Sequence, residues 1–274
     1  LHIFANIVIR FYMKRLIYLL SLLFCIQFVA AQNSGINMDS TLFSYYQKCE
    51  KAIKTPQILT MTDTLFRMAG KIGDKRTQAA ALCHKANYFY YTLGSQDSLR
   101  KYVKQVQSFA KTTKQPKYYY WIWQRYVENY IKRRQFNLAL LELEAMQKEA
   151  IKEDYKQGLI SCYKLMARIY YTKSNMRLAY EYQKKALDLS QQYNTDEEDF
   201  NISNIYSNLA SFLLGMQKPD EAYTYIQKAI ETARRPSQTY MAKYNEIVFW
   251  QQQGNKNRIL QNIREMEELN IPER

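Results

Sequence analysis

The sequence predicts an all-α fold, a solenoid of about six stacked helical hairpins, on two observations. The first is that a set of five positions recurs. Tyr163, Ala167, Tyr170, Ala179 and Ala186 are matched 40 residues earlier by Trp123, Val127, Tyr130, Ala139 and Met146. Another 40 back stand Cys83, Asn87, Tyr90, Leu99 and Val106, and 41 before those, more weakly, Leu42, Tyr46, Cys49, Ile58 and Leu65. Forwards by 43 come Tyr206, Ala210, Leu213, Ala222 and Ala229, and by a further 34 Tyr240, Tyr244, Ile247, Lys256 and Ile263, where Lys256 breaks the pattern. Self-similarity at a nearly fixed period marks a stacked array. The second observation is that helical periodicity hardly pauses. The 274 residues are 47% hydrophobic and hold only 7 Gly and 5 Pro, none at a predicted helix centre. Such a composition describes a folded helical chain rather than a disordered one.

Taken in order, residues 1–12 read as an upstream extension ahead of a true start at Met13. Met13-Lys14-Arg15, an apolar run and then Val29-Ala30-Ala31 have the form of a secretory signal peptide over 13–31, with small residues where a peptidase cuts. The run of sixteen residues is short against the roughly 20 needed to span a bilayer, so cleavage is expected; an uncleaved anchor is the alternative. Phe24 precedes Cys25 and does not suit lipid attachment. A polar leader, 32–38, comes next.

The hairpins are expected at 39–72, 74–113, 116–153, 154–193, 198–235 and 237–270, followed by a tail at 271–274. Asp39, Asp74, Ser95, Asn175 and Thr195 are placed to cap helix starts, and Thr195 to Glu198 has capping-box spacing. Gly73, Gly94, Gly215 and Gly254 fall near helix ends, while Pro56, Pro116, Pro219 and Pro236 fall in connections or first turns.

Net charge separates partner classes. The formal charge is +14, and removing Arg10, Lys14 and Arg15 with the first 31 residues leaves +11. An exported chain would not meet nucleic acid, so this surplus bears on acidic peptides, glycans or anionic surfaces, or on solubility alone. Past the leader, Cys49, Cys83 and Cys162 are odd in number and widely spaced, which makes no disulfide framework or metal pair and reads as buried thiols.

Nothing in the chain forms a catalytic constellation. His84 is the one histidine past the leader, without a GxSxG or HExxH context, and reads as a surface or groove residue. Gly70 to Lys75 lacks phosphate-loop spacing and is a helix end followed by a cap, and Asp196 to Asp199 lacks the ligand alternation of an EF-hand. No residue set calls for a cofactor or metal. The 25 tyrosines weigh more: Tyr119, Trp123, Tyr126 and Tyr130 recur on one helix face and are assigned to the core, so their polar atoms need partners.

In residues 160–193 the five recurring residues occupy positions 4, 8, 11, 20 and 27 of a helix-turn-helix unit, a spacing that resembles the tetratricopeptide repeat (TPR). Small residues where the helices cross let the backbones approach, and aromatic ones fill the gaps beside them. The chain departs from that family in carrying Val127 and Asn87 where its motif has Gly, and in lacking the closing Pro in 160–193. Most units exceed the 34-residue period, and the first and last are the weakest.

The resemblance implies a right-handed superhelix whose first helices line a concave groove. Carried over, that gives His84, Tyr88 and Tyr91 in the second unit, Trp121, Gln124, Glu128 and Ile131 in the third, Lys164, Arg168 and Tyr171 in the fourth, and Asn204, Ser207, Ser211 and Leu214 in the fifth. An extended peptide would lie there, with Lys164 and Arg168 meeting an acidic group or C-terminus. The Lys and Asn of the family's carboxylate clamps are not matched, because Arg168 stands where Asn would.

The function expected is a non-catalytic protein or peptide interaction module, exported to the periplasm or envelope, resembling exported TPR proteins and sensor halves of Bacteroidetes-type bacteria. The alternatives are the sensor half of a truncated transmembrane regulator, a structural part of an envelope assembly, and a groove hydrolase built on Glu128 and His84.

Overall fold

The computed structural model of the chain describes residues 40–193 and 202–269. The proposed leader segments, the caps Asp39 and Thr195, the acidic run at 196–199 and the tail lie outside the described residues. Within them the chain is twelve helices: α1 Ser40–Lys51, α2 Ile58–Lys71, α3 Lys75–Tyr91, α4 Gln96–Thr112, α5 Pro116–Lys132, α6 Phe136–Lys152, α7 Lys156–Thr172, α8 Met176–Tyr193, α9 Ile202–Gly215, α10 Pro219–Glu231, α11 Pro236–Gln252 and α12 Lys256–Glu267. They pair as six hairpins, and odd-numbered helices of successive hairpins also pack on one another, as α3 on α5, α5 on α7 and α9 on α11. The all-α solenoid expected from the recurrence is the fold found.

The recurring positions explain the stacking. Ala139, Ala179, Ala186, Ala222 and Ala229 are 0% exposed, so helix backbones meet at them. Of the stripe assigned to the core, Tyr119 of α5 is only partly buried, while Trp123, Tyr126 and Tyr130, with the neighbouring Tyr120, are buried in a core that runs from α3 to α7. Their polar atoms do find partners: the Trp123 indole N–H donates to Glu142 Oε2 at 2.8 Å, and the Tyr126 and Tyr130 hydroxyls lie 2.6 Å apart. The thiols of Cys49, Cys83 and Cys162 are buried and unpaired.

Helix ends are fixed locally. Asp74, Ser95 and Asn175 accept from the backbone N–H of Thr77, Ser98 and Leu178 respectively, as their caps predict. Pro116, Pro219 and Pro236 open their helices, where a missing N–H costs nothing. One turn then closes helix after helix. A residue with positive φ follows eight of the twelve described helices, at Gly73, Leu93, Lys114, Arg134, Asp154, Ser174, Gln217 and Gly254, and the next N–H bonds back across the turn, as Gln115 N to Ala110 O at 2.7 Å.

The last hairpin departs from the sequence register. Tyr240 and Tyr244, expected in the core, are 39% and 52% exposed, while α11 buries Gln238, Ala242, Asn245, Glu246 and Phe249 instead. The stretch carries apolar residues on both faces, so periodicity alone cannot choose between them. Lys256 stands in the first turn of α12 behind its Asn255 cap rather than at a packing position. That helix buries only Asn262, and its join to α11 is polar: Lys243 Nζ lies 2.6 Å from Glu265 and 3.1 Å from both Glu246 and Asn262.

Among the described residues no helix is long and apolar enough to cross a membrane.

Candidate functional site

A hollow of about 400 Å³ opens among α5, α7, α9 and α11. Six of the ten residues selected from sequence border it: Gln124 and Glu128 from α5, Lys164, Arg168 and Tyr171 from α7, and Ser207 from α9. Ser211, one turn beyond Ser207, joins them. First-helix positions converge there because the odd-numbered helices stack side by side, each bringing one polar stripe to a shared surface.

On the α5 wall, Glu128 is buried and well held. Its Oε2 accepts from the Tyr90 hydroxyl and from Arg125 Nη1, both at 2.9 Å, and its Oε1 accepts from Gln124 Nε2 at 3.2 Å. Arg125 thus balances the carboxylate, while Tyr90 ties it to α3. Burial, and then the Glu128 charge, pushes the Tyr90 phenol up to about 12. Lys132 sits 3.8 Å over the Tyr90 ring, and burial pulls its ammonium down.

With Glu128 neutralised from behind, the α7 wall sets the local charge. The Arg168 side chain is 49% exposed and reaches Glu128 Oε1 only at 4.0 Å, so most of its hydrogen-bonding capacity faces the hollow. Lys164 lies one turn earlier on the same face. Arg168 and Lys164 give the α7 wall its positive charge, which favours an anionic group. Beside them Tyr171 packs its ring on Phe212 at 5.3 Å, and Met241 and Tyr244 of α11 add an apolar rim.

The other four candidates lie outside this hollow. His84 is 6% exposed, with its ring 5.3 Å from that of Tyr46 and neither nitrogen hydrogen-bonded. Burial lowers its pKa to about 4, so it is a neutral residue packed between α1 and α3 rather than a groove residue. Tyr88 packs into the α1–α3 core cluster. Trp121 is covered by Arg125, whose guanidinium lies 5.5 Å from its ring, and Tyr91 is exposed 5.9 Å from both Lys54 and Lys132. Ile131 and Leu214 belong to the core, and Asn204 is exposed.

Sequence reasoning missed Gln183, which comes from the second helix α8 and borders the hollow from below. Its signal was a polar residue at a position where α4, α6 and α10 carry Val103, Leu143 and Ile226. It missed Tyr244 through the register error on α11.

Known proteins bear on the fold. No family model matches the chain, and no curated protein is similar to it. Among solved structures it is similar to NprR in complex with its cognate peptide NprX, at a TM-score of 0.55 and 16% identity over 83% of this chain and 62% of that one. It is likewise similar to the apo form of the quorum sensor NprR from B. thuringiensis, at 0.53 and 17% over 83% and 70%. A kinesin light chain of nearly identical TPR-like repeats from Podosopora anserina gives 0.43 and 16% over 73% and 100%. The chain therefore spans about three fifths of the peptide-bound NprR it resembles. At these identities the likeness to the two NprR structures establishes the fold alone, a TPR-like helical array.

Proposed function

We propose that the chain is a non-catalytic interaction module that holds an extended segment of a partner protein, or a free peptide, in the hollow among α5, α7, α9 and α11. The observation that carries this reading is the pairing of Lys164 and Arg168 with the apolar rim of Tyr171, Phe212 and Tyr244 in one cavity of peptide-residue size. An acidic side chain or terminal carboxylate meets the cations, and an adjacent apolar side chain meets the rings. The structural likeness to NprR, described in complex with a peptide, supports the same use of the fold. The hydrolase alternative loses its basis, since His84 does not border the cavity that Glu128 borders. The site of action proposed is the cell envelope, reached through the signal segment at 13–31.

The test is affinity selection from a degenerate pool of hexapeptides with free carboxyl ends. Enrichment of acidic or carboxyl-terminal apolar sequences is expected, with binding weakened about 10- to 100-fold in Lys164→Glu/Arg168→Glu, the scale of two charge-assisted contacts. Selected peptides that bind the double variant as well as the wild type would sink the reading. Fractionation of cells expressing the tagged chain tests export, and a cytoplasmic, uncleaved product would remove it.

A further inference from the structure

Gln183 is the anomaly among the second helices. The equivalent residues Val103, Leu143 and Ile226 are apolar and at most 2% exposed, and Thr62 of α2 satisfies its hydroxyl on Ile58 O of its own helix at 2.9 Å. Gln183 is 0% exposed, and neither its Oε1 nor its Nε2 has a hydrogen-bond partner. A buried carboxamide left unpaired is unfavourable, and an aliphatic side chain would fill the place without that cost.

Its position gives the amide a use. Successive odd-numbered helices pack closely elsewhere, but α7 and α9 approach least, and α8 packs against both from behind. Gln183 therefore forms the floor where α7 and α9 part, bordering the hollow that Lys164 and Arg168 line. Ser207, opposite on α9, is 2% exposed and its Oγ also lacks a partner. Together these groups provide a donor and an acceptor on one planar amide, and a hydroxyl elsewhere on the lining of the same hollow. That is the complement of a second planar amide, which offers an acceptor and a donor in the same plane.

We propose that Gln183, supported by Ser207, is a specificity-determining residue that reads a planar amide of the bound ligand. It pairs with that amide edge to edge where the ligand seats between α7 and α9. The inference rests on the peptide-binding reading and deepens it: the cations select an anionic group, and the floor selects an amide next to it.

The experiment uses the full chain and the tightest hexapeptide selected from the degenerate pool. Gln183→Leu is expected to bind it at least tenfold more weakly, while its melting temperature equals or exceeds that of the wild type. In the wild type, the side-chain amide resonances of Gln183 are expected to move on titration with the peptide. This readout decides the matter even if the variant fails to fold. Two resynthesised forms distinguish the source of the amide: a tenfold loss on replacing every Asn and Gln in the peptide assigns a side chain, and a loss on methylating one backbone nitrogen assigns the peptide unit. Binding by Gln183→Leu within twofold of the wild type, with unmoved amide resonances, would overturn the proposal. If Lys164→Glu/Arg168→Glu still weakens binding about 10- to 100-fold in that case, the groove reading survives and only the role of Gln183 falls. A pool that yields no binder at all would remove both.

Discussion

Tyr90 of α3 donates its hydroxyl hydrogen to Glu128 of α5 at 2.9 Å, and this bond crosses from one hairpin to the next beside the hollow. Arg125 closes the arrangement by bonding the same carboxylate oxygen at 2.9 Å. Removing the carboxylate leaves a largely covered guanidinium without its counter-charge and the Tyr90 hydroxyl with only the 3.5 Å contact from Arg125 Nη1, whereas removing the hydroxyl leaves the ion pair intact. Glu128→Ala is therefore expected to destabilise the protein by about 3 kcal/mol, the scale of breaking one side of a covered ion pair. Tyr90→Phe should cost about 1.5 kcal/mol, the low end for a hydrogen bond to a charged group. Urea denaturation of the two variants checks the order; equal losses would mean that Arg125 finds another partner.

The repeated turn sets a conformational prediction. Lys114 holds φ of +56° and Gly73 holds +74°, in the same kind of turn. A side chain in this region costs about 1–2 kcal/mol, partly offset by the larger freedom glycine loses on folding. Lys114→Gly is expected to stabilise by roughly 0.5–1 kcal/mol. Gly73→Ala is expected to destabilise by about 1 kcal/mol although nothing lies within 4 Å of the added methyl. Denaturant midpoints measured on both substitutions test the pair, and shifts of the same sign would refute the account.

The fold was legible because its contacts are local and repeated. A small residue lets two helix backbones approach, as at Ala139, Ala179 and Ala222, so its recurrence in the third to fifth units reports geometry directly. The last hairpin was less legible. Tyr240 and Tyr244 mimic the spacing of a buried stripe, but in the fold Ala242 and Phe249 pack inward. The site was half legible for a related reason. Lys164, Arg168 and Tyr171 sit on one face of one helix, and a period of 3.6 exposes them. Gln183 reaches the hollow from a second helix whose face is otherwise core, and His84 is polar by type yet packed against Tyr46. Residue type suggests exposure in both cases, and tertiary packing overrides it.

Gly158 of α7 tests how tightly the centre of the array is built. A methyl there would meet Tyr120 Cδ1 and Tyr155 Cδ1 at 3.0 Å and Ala150 Cβ at 3.1 Å. Neither ring is free to move away: the two tyrosines stack with centroids 4.7 Å apart, and the Tyr120 hydroxyl donates to Glu153 at 2.8 Å. Alanine in place of glycine favours a helix interior by about 1 kcal/mol, while overpacking costs typically 1–3 kcal/mol. The clash is expected to win, with Gly158→Ala destabilising by about 1 kcal/mol and Gly158→Val by more. A stabilised alanine variant in thermal denaturation would show that the tyrosine stack yields.

His84 makes stability depend on pH in a stated window. Burial depresses its folded-state pKa to about 4 from an ordinary value of 6.5. Between those values the unfolded chain binds the proton and the folded chain does not, so stability is whole above pH 6.5 and falls as pH drops toward 4. The loss approaches about 1.4 kcal/mol for each pH unit crossed. Tyr46, the ring facing His84, offers no compensating charge, because burial and Glu50 hold its phenol protonated well above neutral pH. His84→Phe is therefore expected to match the wild type within about 1 kcal/mol at pH 7 and to exceed it by about 2 kcal/mol at pH 5. Urea midpoints at the two pH values provide the comparison. Parallel losses in both proteins would place the acid sensitivity elsewhere.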